Sequence, residues 1–76
     1  EQFDVVLTNP PYVAGRDVCF AFIEGSYKHL HSGGTLQLVA RHTKGGKTLM
    51  QHMEHVFGNV DTIAKQGGFR VYISKK

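Results

Sequence analysis

Cysteine, proline and tryptophan are scarce in this sequence, which has one cysteine, two prolines and no tryptophan among its 76 residues. A single cysteine excludes an intrachain disulfide framework and is typical of a reducing compartment. No apolar run approaches the ~20 residues that a membrane-spanning helix requires, and no secretory signal pattern is visible. These absences predict a cytoplasmic protein with no membrane partner.

Acidic residues are also fewer than basic ones, with six Asp and Glu against nine Lys and Arg and a formal net charge of +3. This excess favours a polyanionic partner such as RNA. Basic residues cluster in the segment 41–47, which predicts either a solvent-exposed loop or a contact with RNA phosphate. The pair Lys75 and Lys76 predicts either a frayed, solvent-exposed tail or, less favoured than for the loop, a contact with RNA phosphate. The hydrophobic fraction of 41% predicts one small globular domain.

The most informative motif is the tetrapeptide Asn9-Pro10-Pro11-Tyr12, which follows the strand-like apolar run 3–8. Proline fixes its own φ and pushes the residue before it towards extended geometry. We therefore expect Asn9 at the carboxyl end of a strand with its side chain presented rather than buried. Its amide oxygen and the proline carbonyls can accept N–H bonds from a planar amine, and Tyr12 can stack on the ring. A plain strand-ending turn is the alternative, because Asn-Pro commonly initiates turns.

Six elements follow one another in the predicted order strand, helix, strand, helix, strand, strand. Strands are expected at 3–8, 35–40, 60–66 and 69–75, and helices from about 17 to 30 and from 47 to 57. Alternating strands and helices imply a parallel sheet with crossover helices, here closed by an antiparallel hairpin at Gly67-Gly68. The predicted fold class is therefore α/β.

Glycines are expected to end both helices, at Ser32-Gly33-Gly34 for the first and at Gly58 for the second. Cys19 lies in the first helix and is expected to be a buried thiol rather than a nucleophile. The apolar face of each helix follows from its 3.6-residue period. The predicted faces are Val18, Phe22, Ile23, Tyr27 and Leu30 in the first helix, and Leu49, Met53, Val56 and Phe57 in the second.

Residues 3–12 resemble the fourth motif of the class I S-adenosylmethionine-dependent methyltransferases that modify amino or amide nitrogens. The segments 14–17, 27–30, 33–36, 38–41, 56–60 and 67–71 make the chain similar to the small-domain methyltransferases linked to guanine-N2 methylation of ribosomal RNA. The resemblance implies that residues 1–76 are a partial domain, the C-terminal half of a Rossmann-like methyltransferase sheet. Its strands would be the fourth to seventh of that sheet, with the last inserted antiparallel between its neighbours.

The resemblance also implies S-adenosylmethionine as the cofactor and an exocyclic amine as the target, first of all guanine N2 of ribosomal RNA. The glycine-rich turn and the acidic residue that hold the cofactor in that family do not occur in the sequence, so we expect the chain alone to be inactive. Tyr12 is commoner among adenine and glutamine methyltransferases. Protein glutamine-N5 and DNA adenine-N6 methylation are therefore alternatives, as is a non-catalytic nucleic-acid-binding or assembly module.

The candidate site residues fall at strand ends and in the loops after them, where open α/β sheets bind ligands. The catalytic candidates are Asn9, Pro10, Pro11 and Tyr12, and Asn9 is also the cofactor-binding candidate. Candidate RNA contacts are Arg16, Arg41, Lys44 and Lys47, for each of which a plain surface cation is the alternative.

Two further expectations concern metals and partners. The five histidines lack the spaced cysteines or carboxylates that complete a metal centre, so no metal site is expected. The first strand has an apolar, valine-rich edge that pairs with another strand in the complete fold. An open edge of this kind predicts self-association.

Overall fold

The chain forms a mixed sheet and two α-helices in the residues that the structure describes. The computed structural model describes the backbone of residues 3–8 and all atoms of residues 15–76. The elements are β1 (Phe3–Thr8), α1 (Arg16–His29), β2 (Leu30–Arg41), a short 3-10 turn (His42–Lys44), α2 (Gly46–Phe57), β3 (Asp61–Gln66) and β4 (Phe69–Lys75). This succession confirms the predicted α/β fold class.

The four strands lie in the order β1-β2-β4-β3. β1 and β2 are parallel, whereas β4 is antiparallel to both β2 and β3. The last strand is thus inserted between its neighbours, as the family resemblance implied. The hairpin between β3 and β4 turns at the predicted glycine pair, and Gly67 has a φ of +59°, which a residue with a Cβ adopts at a cost.

Both helices pack on the same face of the sheet. Because successive side chains of a strand point to opposite faces, buried residues alternate with less buried ones along the strands. In β2, Leu36 and Leu38 are fully buried while Gln37 and Val39 are half-buried, and β4 contributes the buried Tyr72. The helices complete the same hydrophobic cluster with Cys19, Ile23, Leu49 and Met53. The opposite face, which carries Gln37, Val39, Val71 and Ile73, has no described helix packed against it.

The end of α1 differs from the prediction. The helix ends at His29, and Leu30 is already extended (φ −83°, ψ 143°) with its N–H bonded to the Ser26 carbonyl. The Leu30 side chain is buried in the core at 1% exposure, and this burial accounts for the end of the helix at His29. The predicted stop at Ser32-Gly33-Gly34 is therefore wrong. Those residues lie within β2, in an irregular stretch where Phe3 pairs with Leu30 but Val5 pairs with Thr35.

The apolar face of α1 agrees only in part with the predicted one. Val18 and Phe22 are 53% and 39% exposed, so their placement in the core is wrong. The buried residues of the helix are Cys19, Ile23 and Ser26, so the predicted burial of Ile23 is confirmed. The burial of Cys19 is confirmed. In α2 the predicted core residues Leu49 and Met53 are confirmed, and Gly58 ends the helix in the left-handed conformation.

The Lys75-Lys76 segment is not a frayed tail. The Lys76 N–H donates to the Gly34 carbonyl (2.8 Å), and its own carbonyl accepts from the Gly33 N–H (3.2 Å). The Lys76 ammonium donates to the carbonyls of Tyr27 (2.6 Å) and Leu30 (2.9 Å) and lies 4.6 Å from the centroid of the Tyr27 ring. A cation at these carbonyls caps the C-terminus of α1, where the helix dipole is negative.

Candidate functional site

The candidate site lies at the carboxyl edge of the sheet, where β1 and β2 end side by side. Thr8, the last residue of β1, pairs with Leu38, and β2 continues to Arg41. The predicted catalytic motif, Asn9 to Tyr12, begins with the residue after Thr8 and lies outside the described residues. The roles given to Asn9, Pro10, Pro11 and Tyr12 therefore stay predictions.

Three of the four candidate RNA contacts lie together in the segment that joins β2 to α2, which we name the β2–α2 loop (residues 41–47). Arg41, Lys44 and Lys47 are all exposed to solvent in this loop. The fourth candidate, Arg16, is the exposed first residue of α1. Because each crossover helix begins on the side where its preceding strand ends, Arg16 starts from the same edge of the sheet.

A buried hydroxyl anchors the β2–α2 loop to the sheet. The Tyr72 side chain is fully buried, and its hydroxyl shares a hydrogen bond of 2.6 Å with Nδ1 of His42. The His42 N–H also donates to the Gly68 carbonyl (3.0 Å), so the loop is joined to the hairpin turn as well. Burial raises the pKa of Tyr72, and the Arg70 charge offsets part of that shift. The phenol therefore stays neutral.

Close packing at Gly46 fixes the start of α2 against the same anchor. A Cβ at this position would lie 2.6 Å from the Arg41 carbonyl oxygen and 2.9 Å from the Tyr72 hydroxyl. Such a contact is shorter than atoms tolerate, so only glycine fits here. The Gly45-Gly46 pair is thus explained by packing, and the Gly67-Gly68 pair by the hairpin turn. Neither pair forms the glycine-rich strand–turn–helix unit of a nucleotide site.

Arg41 has a partner that the sequence did not predict. It pairs across the sheet with Phe69, the first residue of β4, and its guanidinium carbon lies 4.9 Å from the centroid of the Phe69 ring. Phe69 is 40% exposed, which is unusual for a large apolar side chain next to a core. The alternation of residues 69–75 carried a signal for this, since it sets Phe69 on the face opposite Tyr72. The contact with Arg41 itself joins residues far apart in sequence.

One histidine of the helices, His52, packs against the other helix. His52 stacks on Phe20 with ring centroids 3.8 Å apart, and its Nε2 lies 2.9 Å from the Glu24 carboxylate. In residues 15–76 no group of three or more His, Cys, Asp and Glu side chains has the arrangement of a metal site. Burial raises the pKa of the Cys19 thiol, which disfavours the thiolate that a nucleophile needs. Neither described helix is long and apolar enough to cross a bilayer.

Comparison with known families gives one clear match. The sequence pattern of the family described as "methyltransferase small domain" matches residues 1–73. Among curated proteins, the chain is 38% identical over 79 residues to ribosomal RNA small subunit methyltransferase C of Shewanella amazonensis, covering 97% of the chain and 22% of that protein. It is 33% identical over 76 residues to the uncharacterized protein YbxB of Bacillus subtilis, covering 100% of the chain and 38% of that protein.

Solved structures show the same likeness. A T. thermophilus 16S rRNA N2 methyltransferase, determined in complex with AdoMet and guanosine, superposes with a TM-score of 0.80 at 30% identity. That superposition covers 99% of this chain and 20% of the other. A methyltransferase from Pyrococcus furiosus superposes with a TM-score of 0.78 at 25% identity, covering 97% and 41% respectively. The chain thus spans between a fifth and about two fifths of the proteins it resembles.

Proposed function

Because the chain belongs to the methyltransferase small domain family, we propose that it positions the substrate of an S-adenosylmethionine-dependent enzyme that methylates guanine N2 in ribosomal RNA. The relative from Shewanella is named for methylation of small-subunit ribosomal RNA, and the T. thermophilus structure carries AdoMet and guanosine. Since the chain covers about a fifth of each, the activity of the whole enzyme is part of the proposal. A cytoplasmic location is also part of the proposal.

One observation supports the proposal most, namely the parallel pairing of β1 with β2. It brings the strand that precedes the Asn9 motif and the strand that ends at the cationic Arg41 to a common edge. An exocyclic amine is a weak nucleophile because its lone pair is delocalised into the ring. In the proposed site the Asn9 amide oxygen and the Pro10 carbonyl accept hydrogen bonds from the two N–H groups of the amine. These bonds orient the nitrogen lone pair, while Tyr12 stacks on the base.

The cofactor would supply an electrophilic methyl group, but the described residues do not form a site for it. Both glycine pairs have structural explanations, and the packed contacts of Gly46 leave no space for a ligand there. Asn9 stays the one candidate contact to the cofactor within the chain. We therefore expect the 76 residues alone to show no methyl transfer.

The cationic side chains would hold the RNA. Arg41, Lys44 and Lys47 project from an anchored loop, and Arg16 begins a helix on the same edge. Contacts between such side chains and phosphates orient a nucleic acid without reading its sequence. Recognition of guanine would rest on the motif, and placement of the strand on these four cations.

A domain replacement tests the proposal. This chain would replace the matching 79-residue segment of the Shewanella relative, and the chimera would be assayed for methyl transfer to small-subunit ribosomal RNA. We expect transfer to guanine N2 by the chimera and none by its Asn9→Ala variant, with cofactor affinity largely unchanged. Gln51→Ala, which removes an exposed amide from α2, is the control and should retain activity.

Three outcomes would contradict the proposal. A folded chimera that binds the cofactor but methylates a glutamine-bearing protein or DNA adenine would support the alternative substrates. Equal loss of turnover and cofactor affinity in Asn9→Ala would refute the assignment of that side chain to the amine. Micromolar binding of the cofactor by the 76-residue chain alone, measured by calorimetry, would show that the cofactor site lies within it.

A further inference from the structure

We propose that Tyr72, a core residue that RNA cannot reach, is a positioning residue for RNA binding. Its buried hydroxyl holds His42, and through His42 it holds the cationic β2–α2 loop in one arrangement. The proposal rests on the RNA-holding part of the function proposed above and deepens it. It adds a buried side chain to the residues on which the RNA affinity depends.

The β2–α2 loop concentrates positive charge. Arg41, Lys44 and Lys47 lie within seven residues, and the sequence has no Asp or Glu from residue 25 to residue 53. No described carboxylate forms an ion pair with any of the three cations. Like charges this close repel one another, so a loose loop would spread them apart. A phosphate chain gains most from these charges when the loop presents them together.

The loop is held to the β3–β4 hairpin at His42. The Nδ1 atom of His42 shares a hydrogen bond of 2.6 Å with the Tyr72 hydroxyl, and the His42 backbone N–H donates to the Gly68 carbonyl at 3.0 Å. One bond involves the side chain and the other the backbone. Together they fix both the position and the orientation of the residue that follows Arg41.

The other end of the loop packs against the same hydroxyl. A Cβ on Gly46 would lie 2.9 Å from the Tyr72 hydroxyl and 2.6 Å from the Arg41 carbonyl oxygen, so these groups are already in close contact. Lys47 follows Gly46 directly. Both ends of the loop therefore meet at one buried hydroxyl.

A loop that is ordered in advance loses little conformational entropy when RNA binds. Tyr72→Phe removes the hydroxyl but keeps the ring in the hydrophobic cluster, so the loop loses its anchor while the core stays packed. We expect the RNA affinity to fall by about 2- to 12-fold, which corresponds to the cost of immobilising one long side chain on binding.

Ser74 provides a matched control on the same strand. It is fully buried like Tyr72, and its hydroxyl donates a single hydrogen bond of 2.7 Å to the Asn59 carbonyl. Ser74 pairs with Leu36 in the first half of β2, whereas the loop follows the end of β2. Ser74→Ala thus deletes one buried hydrogen bond away from the loop. Both variants should lose stability in thermal unfolding, but Ser74→Ala should keep the wild-type affinity for RNA.

The measurement is binding of a fluorescein-labelled single-stranded RNA oligonucleotide to the 76-residue chain, followed by fluorescence anisotropy well below the Tm of each variant. Because no cofactor or turnover is required, this experiment is independent of the chimera assay. The wild type, Tyr72→Phe and Ser74→Ala are compared at one salt concentration, since binding to phosphates depends on salt.

Two variants of His42 add a rescue test. The Asn side chain carries an amide group near the position of the imidazole Nδ1 and can bond to the Tyr72 hydroxyl, whereas Leu cannot. His42→Asn should therefore bind RNA nearly as well as the wild type, and His42→Leu should lose as much affinity as Tyr72→Phe. The double variant of His42→Leu with Tyr72→Phe should bind no more weakly than either single variant, because both changes remove the same bond.

The outcomes separate this proposal from the proposed function. Equal RNA affinity of Tyr72→Phe and wild type refutes the positioning role. An equal loss of affinity in Ser74→Ala also refutes it, because stability alone would then explain the effect. Failure of the wild-type chain to bind RNA would refute the RNA-holding role of the loop and this proposal with it. The expected ranking of affinities without methyl transfer by the chimera would support the positioning role and contradict the proposed reaction.

Discussion

Replacing Lys76 with methionine tests whether the ammonium group really holds the end of α1. Its two hydrogen bonds, to the carbonyls of Tyr27 (2.6 Å) and Leu30 (2.9 Å), are of the charge-assisted kind. Such bonds contribute about 1.5–3 kcal/mol each when they are protected from water. The side chain is only partly buried, so water would recover part of that loss. We expect Lys76→Met to lower the free energy of unfolding by about 2 kcal/mol.

The measurement is thermal unfolding followed by circular dichroism. For a domain of this size, a loss of about 2 kcal/mol lowers Tm by roughly 8–16 °C. Lys75→Met is the matched control, because Lys75 is exposed and only its backbone groups bond to Asn59. The free energy of unfolding of this variant should change by less than about 0.5 kcal/mol, with a correspondingly small shift in Tm. Equal Tm values for the two variants would refute the cap.

Three further predictions concern the loop anchor and the open strand. Gly46→Ala should destabilise the protein by about 1–3 kcal/mol in urea unfolding, because its Cβ would lie 2.6 Å from the Arg41 carbonyl oxygen. Gly25→Ala, in α1 with open space around it, should be neutral or stabilising, and a similar loss in both variants would contradict the packing argument. The raised pKa of Tyr72 predicts that stability is retained below its ordinary value of 10.0 and declines as pH rises above it, since the unfolded chain releases the phenolic proton first. Tyr72→Phe should lessen that decline in a pH series of melts, and an unchanged decline would show that other groups cause it. β1 lies at one edge of the sheet and has one neighbour, β2, among the described strands, so we expect self-association through β1. A monodisperse monomer by sedimentation, with residues 3–8 protected from hydrogen exchange, would refute that expectation.

Element order and turn positions were predictable from the sequence because their signals are local. The glycine pair at 67–68 and the stop at Gly58 depend on backbone angles that few other residues adopt. The end of α1 was not predictable in this way. Burial of Leu30 determines where the helix ends, and that burial comes from the packed core rather than from neighbouring residues.

The position of the candidate site was predictable from the sequence, but the contacts that hold its side chains and loop in place were not. The strand-end rule predicted Arg41 at the carboxyl end of a strand, and the structure places it there. Its stacking on Phe69 and the bond between His42 and Tyr72 join residues 28 and 30 positions apart. Only the pairing of β2 with β4 brings these residues together, and no local pattern specifies that pairing. The insertion of β4 was likewise implied by the family resemblance and not by periodicity.

The position of β4 in the middle of the sheet has a consequence for synthesis of the chain. β3 leaves the ribosome before β4, yet among the described strands its sole hydrogen-bonding neighbour is β4. Until β4 emerges, β3 has no place to dock and β2 lacks one of its two partners. The nascent chain would therefore wait in a partly folded state that exposes strand edges, which makes this interval the one in which a holdase chaperone would matter most.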